Sequence, residues 1–300
     1  MNVFNNGKMY FATSYRKDEI ECIRKVQPPN LLLSFAMWRT KYKDKDIKKE
    51  LLNEIGYPPV SIVFDCGAYT FREEDIGLEE ILENYKEMKE EDGVLFNPDD
   101  ETDLILFAHW YFGEFEEELY KKDKSTYSLF GQYVNFLLWN KGLYDYCFAF
   151  DKVGDNEQSL LSYRIMNAIG LPVIPVYQAI SWGETPHLNN YDFDILDYYA
   201  KTSNYIAIGG TAIRTIKGFT KNKRIEIIRA IIDRHPDKKF HLLGTLDPQI
   251  VEACPELYSF DGQCWVQKVK KDRKINETCR YLESKIQWFN AHKSQQDVAS

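Results

Sequence analysis

No stretch of this sequence is long and apolar enough to cross a bilayer. Its longest apolar runs, "LPVIPVY" (171–177) and "NLLLSFAMW" (30–38), fall well short of the roughly 20 residues that a span needs. The N-terminus also lacks the basic-then-apolar layout of a secretory signal, so a cytoplasmic protein without a membrane partner is expected. The six cysteines, at 22, 66, 147, 254, 264 and 279, form no C-x-x-C or Cys/His pair, and the five histidines form no H-x-H or H-x-x-x-H pair. That spacing argues against a structural zinc centre and leaves reduced thiols as the expectation, with no metal. Cys66 and Cys264 flank aspartates of interest, but a free cysteine at a strand end commonly serves as a small hydrophobe. No G-x-G-x-x-G follows any strand-like run, which removes the fingerprint of an open dinucleotide-binding sheet.

Charge is present but unevenly spread. The 300 residues carry a formal net charge of -8. Residues 73–103 alone hold fourteen Asp/Glu against Lys86 and Lys89, a local net of -12, so the remainder is close to +4. Two basic stretches stand out there: "RTIKGFTKNKR", with Arg214, Lys217, Lys221, Lys223 and Arg224, and "KVKKDRK", with Lys268, Lys270, Lys271, Arg273 and Lys274. Either reads as a solvated face or as a surface for a polyanion's phosphates.

Short β-branched or aromatic runs recur at 8–14, 30–37, 60–69, 146–154, 171–178, 205–210, 239–245 and 257–262. Between them lie segments with helical spacing: Ile47, Leu51, Leu52 and Ile55; Leu78, Ile81, Leu82, Tyr85 and Met88; Leu161, Ile165 and Ile169; Ile225, Ile228, Ile231 and Ile232. "EIGYPPVSIVF" and "AIGLPVIPV" each show a helix-ending Gly, then Pro, then a strand. Near-continuous apolar strands alternating with amphipathic helices predict an α/β protein, a (β/α)8 TIM barrel over 1–293. An enlarged helical insertion is predicted at about 93–140, after the third strand, and a disordered tail at 294–300.

In such a barrel the chemistry sits where the strands end. The strand-end residues here are Asp65 with Gly67 and Tyr69, Asp151, Gln178, Gly209 with Gly210, Gly244 with Thr245, and Asp261. Each also has a structural use, since an Asp after a strand caps the next helix and Gly pairs make turns. Asp247, followed by Pro248, is read as a helix cap only. Two carboxylates kept apart in a dry pocket take different protonation states, as glycosyl chemistry requires of a nucleophile and an acid/base. Asp151 and Gln178 offer acceptors and donors for a heterocycle's edge, a Gly-Gly backbone lets amide N–H groups come close, and Tyr69 offers a flat face.

These residues resemble a known family. "FDCGAY" looks like the D-S-G-G-[FY] motif of the tRNA-guanine (queuine) transglycosylases, "FAFD" like their purine-reading strand and "VYQ" like their V-Q-G. "AIGG" matches their A-I-G-G, "HLLG" is similar to their [YH]-L-M-G, and "SFDGQCW" falls where their nucleophile strand carries F-D. The size looks closest to the 7-deazaguanine DNA transglycosylases of phages and bacteria. Their C-x-C-x-x-C…H zinc site is missing, and Ala68 and Thr70 stand where the motif usually has Gly and Gln.

The resemblance implies that Asp261 is a nucleophile attacking C1′ of a nucleotide and that Asp65 is the general acid/base. It implies that Asp151, Gln178, Gly209 and Gly210 read the purine edge while Tyr69 and Leu243 pack its faces. Exchange of guanine in DNA for a 7-deazaguanine base follows, with no cofactor, in a bacterial or phage-infected host cytoplasm. Both basic stretches would then border the active-site mouth and hold the nucleic-acid backbone. Two alternatives stay open: a transglycosylase acting on tRNA or on free nucleosides, and a barrel that only binds nucleic acid. The oligomeric state has no signal in the sequence.

Overall fold

The computed structural model describes residues 7–41, 46–71, 74–113, 127–180, 193–212, 219–263, 265 and 275–293. Nine parallel strands run in the order β5-β4-β3-β2-β1-β9-β8-β7-β6: β1 (Lys8–Thr13), β2 (Asn30–Ser34), β3 (Ser61–Asp65), β4 (Tyr146–Phe148), β5 (Val173–Ile174), β6 (Val176–Gln178), β7 (Tyr205–Gly209), β8 (Lys239–Leu242) and β9 (Ser259–Gly262). β5 pairs with β4 and β6 pairs with β7, yet only Pro175 separates them. A proline has no N–H for the ladder, so one predicted strand, 171–178, is split there and joins the two ends of the sheet. The result is the expected TIM-barrel-like ring with helices between its strands.

Helices α1 (Lys17–Val26), α2 (Phe35–Lys41), α3 (Ile47–Ile55), α4 (Leu78–Glu91), α5 (Glu101–Phe112), α6 (Leu129–Trp139), α7 (Asn156–Ala168), α8 (Phe193–Thr202), α9 (Lys221–Arg234), α10 (Pro248–Ala253) and α11 (Ile275–Lys293) complete the described elements. The strand alternation divides the core in two. Met9, Phe11, Leu31, Leu33, Ile206, Ile208, Phe240 and Phe260 point outward and bury against the helices, whereas Tyr10, Ala12, Leu32, Val63, Phe148, Ile174, Val176, Tyr205 and Ala207 fill the interior. The strands therefore read as nearly continuous apolar runs, because both of their faces are covered.

The strands are shorter than the sequence predicts. The third stops at Asp65 rather than at residue 69, because Gly67 adopts a left-handed φ of 86° that turns the chain. The second stops at Ser34, and α2 follows without a loop. The predicted insertion is present as α5, whose N-terminus is capped by Asp100 through Thr102 and Asp103 N–H groups. Arg164 on α7 docks it, donating to the carbonyls of Pro98 (3.0 Å) and Asp99 (3.1 Å). Tyr133 on α6 donates to the Phe148 carbonyl (2.9 Å) and ties that helix to β4. The predicted tail, 294–300, lies outside the described residues. No described helix is long and apolar enough to cross a membrane.

Candidate active site

The barrel brings Asp65, Asp151, Gln178, Gly209, Gly210, Leu243 and Asp261 to the C-terminal ends of β3, β4, β6, β7, β8 and β9. Asp65 is the last residue of β3, level with Ser34 on β2. A carboxylate oxygen of Asp65, one of Asp151 and the Cys66 sulfur all lie within 4.8 Å of one another. Burial pushes the Asp65 carboxyl up to about 8, helped by the neighbouring charges of Asp151 and Asp261 and opposed by the Gly67 N–H. This environment favours the protonated form of Asp65 at neutral pH.

Asp151 is held differently. Its Oδ2 accepts from Gln178 Nε2 (2.7 Å) and its Oδ1 from the Cys66 thiol (3.3 Å). Burial raises it to about 6, and the two side-chain donors hold it below Asp65. Burial also pushes the Cys66 thiol well up, so the sulfur keeps its proton and donates it. A cation held by Asp65, Cys66 and Asp151 would require the Cys66 thiol to ionise and to give up its hydrogen bond to Asp151 Oδ1.

Gln178 is fixed from three sides. Asn156, the first residue of α7, accepts the Gln178 N–H (2.7 Å) and donates to its carbonyl (3.0 Å), as a neighbouring strand would. The side-chain oxygen faces the Gly154 N–H at 3.4 Å. Gly209 lies opposite Gln178 in the ladder, and a Cβ there would meet Gln178 Nε2 at 2.9 Å. The missing side chain makes room for the carboxamide.

Asp261 enters from β9, level with Tyr10 on β1. Its Oδ1 accepts the Gly244 N–H (2.9 Å) and lies 3.1 Å from His241 Nε2. The Asp261 Oδ2 has no hydrogen bond among the described residues. Behind the ring, His241 Nδ1 meets Ser259 Oγ (2.6 Å), which in turn meets the Tyr205 hydroxyl. Trp265, just beyond β9, is buried and donates its indole N–H to the Ala12 carbonyl (3.0 Å).

Other expected site residues stand apart. Tyr69 is 54% exposed, and Leu243 packs against the interior cluster. Lys221 pairs with Asp247 (2.8 Å), Lys223 with Glu226 (2.7 Å), and the Arg224 guanidinium covers the Phe219 ring at 5.0 Å. Arg214, Lys217, Lys268, Lys270, Lys271, Arg273 and Lys274 lie outside the described residues. His241, Ser259, Tyr205 and Asn156 are absent from the sequence-based site. Strand periodicity carried a signal for two of them: Ser259 shares a face with Asp261, and His241 with Leu243.

No family model and no curated protein matches the chain. It is similar to solved structures of the tryptophan synthase alpha-subunit from the hyperthermophile Pyrococcus furiosus (TM-score 0.47, 9% identity, 95% of this chain and 98% of that one) and of 2,3-dimethylmalate lyase (TM-score 0.42, 10% identity, 95% and 94%). It is also similar to oxaloacetate acetylhydrolase (TM-score 0.41, 6% identity, 90% and 88%). No transglycosylase appears among these structures.

These findings correct the motif-based reading. Membership of the tRNA-guanine transglycosylase family, glycosyltransferase activity and base exchange with a 7-deazaguanine in DNA are withdrawn. So are the tRNA, nucleoside and binding-only alternatives. A physical reason is at hand: any (β/α) barrel repeats apolar strands whose functional polar residues gather at the C-terminal ends. Six short matches in strand order are therefore partly a property of the fold.

Proposed function

We propose that the chain is a barrel enzyme performing general acid–base chemistry on a small polar molecule bound at the C-terminal mouth of the strands. The observation that carries this reading is the unequal treatment of two carboxyl groups in one enclosure. Asp261 Oδ1 accepts the Gly244 N–H and faces the His241 ring, whereas Asp65 has the N–H of Gly67 and stands beside two other carboxyl groups. Asp65 would give a proton to a heteroatom of the ligand. Asp261, through Oδ2, would take a proton from it or face a developing positive charge.

Asp151 and Gln178 would orient the ligand. The groups touching the three carboxyls among the described residues are Gly67, Cys66, Gln178, His241 and Gly244, none of them a Lys or Arg. A cluster of this sign favours a neutral or cationic ligand rich in hydrogen-bond donors over a dianion.

The test is to incubate purified protein with a small-molecule extract and follow by mass spectrometry which species change, with Asp65→Asn and Asp261→Asn alongside. Turnover by the wild type that falls at least about a hundredfold in both folded variants supports the reading. Equal turnover by the variants, or none by the wild type, counts against it.

A further inference from the structure

Four polar side chains form a line through the barrel interior: Tyr205 at the start of β7, Ser259 at the start of β9, His241 in β8 and Asp261 near the end of β9. All four are buried, and the acid–base reading assigns a role only to Asp261. The ring of His241 is packed by Phe148, at 4.9 Å between centroids, by Tyr10 at 6.0 Å and by Tyr205 at 6.4 Å. The titratable groups facing it are therefore Asp261, Tyr205 and Tyr10. Burial raises both phenols, so each keeps its proton.

The protons along this line can be ordered by counting donors and acceptors. The Tyr205 hydroxyl proton has one acceptor among the described residues, Ser259 Oγ. Ser259 must then turn its own proton towards His241 Nδ1. A nitrogen that accepts there carries no hydrogen, so the ring hydrogen sits on Nε2 and points at Asp261 Oδ1. The opposite order fails at both ends. It would leave the Tyr205 proton without an acceptor and set a bare Nε2 lone pair against the Asp261 oxygen, each a buried unpaired polar group.

We propose that Tyr205 and Ser259 set the tautomer of His241, and that His241, by donating from Nε2, holds Asp261 as an oriented acceptor with Oδ2 turned to the ligand. The proposal rests on the acid–base reading above. None of the three residues touches the ligand, and all act as positioning residues. Asp261 in turn stands among the charges that keep Asp65 protonated, together with Asp151 and against the Gly67 N–H.

The test is nitrogen-15 NMR of the full-length chain at pH 7, reading which ring nitrogen of each histidine carries hydrogen. Five histidines keep the spectrum simple, and a His241→Phe variant assigns the signal. Hydrogen on Nε2 alone is expected for His241. Hydrogen on Nδ1, or on both nitrogens, would overturn the proposal, and this measurement needs no variant to fold. The Asp65 carboxyl is followed alongside by carbon-13 NMR of the wild type. Hydrogen on Nε2 combined with an Asp65 that titrates as an ordinary carboxyl would preserve the relay and refute the acid–base reading, so the two failures are distinguishable.

Discussion

Gln178 Nε2 donates to Asp151 Oδ2 across 2.7 Å, and both side chains are almost wholly buried. The pair joins the end of β6 to the segment after β4 and fixes which way the carboxamide faces. Replacing Gln178 with Glu keeps the shape but sets two acids against each other. At pH 8, where both would ionise, Gln178→Glu should cost about 1–3 kcal/mol of stability, and the loss should shrink at pH 5. Denaturant unfolding at the two pH values reads this, and equal losses would contradict it.

Gly209 is the space into which that carboxamide fits. A Cβ there would meet Gln178 Nε2 at 2.9 Å, Val176 Cγ1 at 3.0 Å and Gln178 Oε1 at 3.1 Å. Gly209→Ala should therefore push Gln178 off Asp151 and cost about 1–3 kcal/mol. Turnover should fall further than stability, which parallel assays of unfolding and activity would separate.

The two acids with raised pKa make stability fall as pH rises. Asp65, at about 8, and Asp151, at about 6, both stand above the ordinary 3.8. The folded chain therefore binds more protons than the unfolded chain between roughly pH 4 and 8. Their stabilising contribution is complete below pH 4 and is lost as pH passes through 6 and then 8. Asp65→Asn, which cannot ionise, should flatten the upper part of this slope and be more stable than the wild type above pH 8. Thermal unfolding across pH 5 to 9 checks the sign.

Asp247 tests the opposite kind of aspartate. It accepts from Gln249 N–H at the start of α10, with Pro248 next, and pairs with Lys221 at 2.8 Å. Asp247→Ala should cost about 1 kcal/mol and leave turnover unchanged. A loss of activity without loss of stability would move Asp247 into the site.

The alternation of apolar runs with helical spacing made the barrel legible, down to the eight strand segments, because a parallel sheet covered on both faces leaves that signature. Strand ends were less legible: whether Cys66 to Tyr69 continue β3 depends on the left-handed Gly67, which a glycine in the sequence permits but does not require. Asp65, Asp151, Gln178 and Asp261 were readable as strand-end polar residues. For His241 and Ser259 strand periodicity gave the face but not the partners, and Tyr205 gave neither, because a polar residue inside an apolar strand reveals its partners only once the register sets β8 beside β9, with His241 level with Ser259. Asn156 was masked by its position after a good helix cap, Asp155, which explained the local sequence without it. The short motifs misled for a related reason, since the fold itself repeats apolar strands with polar residues at their ends.

The most direct test of the central claim is a carboxyl carbon-13 NMR titration of Asp65 in the wild type and in Asp261→Asn. The account predicts a midpoint near 8 in the wild type and a lower one once the Asp261 charge is removed. A wild-type midpoint near the ordinary 3.8 would mean that Asp65 is ionised at neutral pH and cannot serve as the acid.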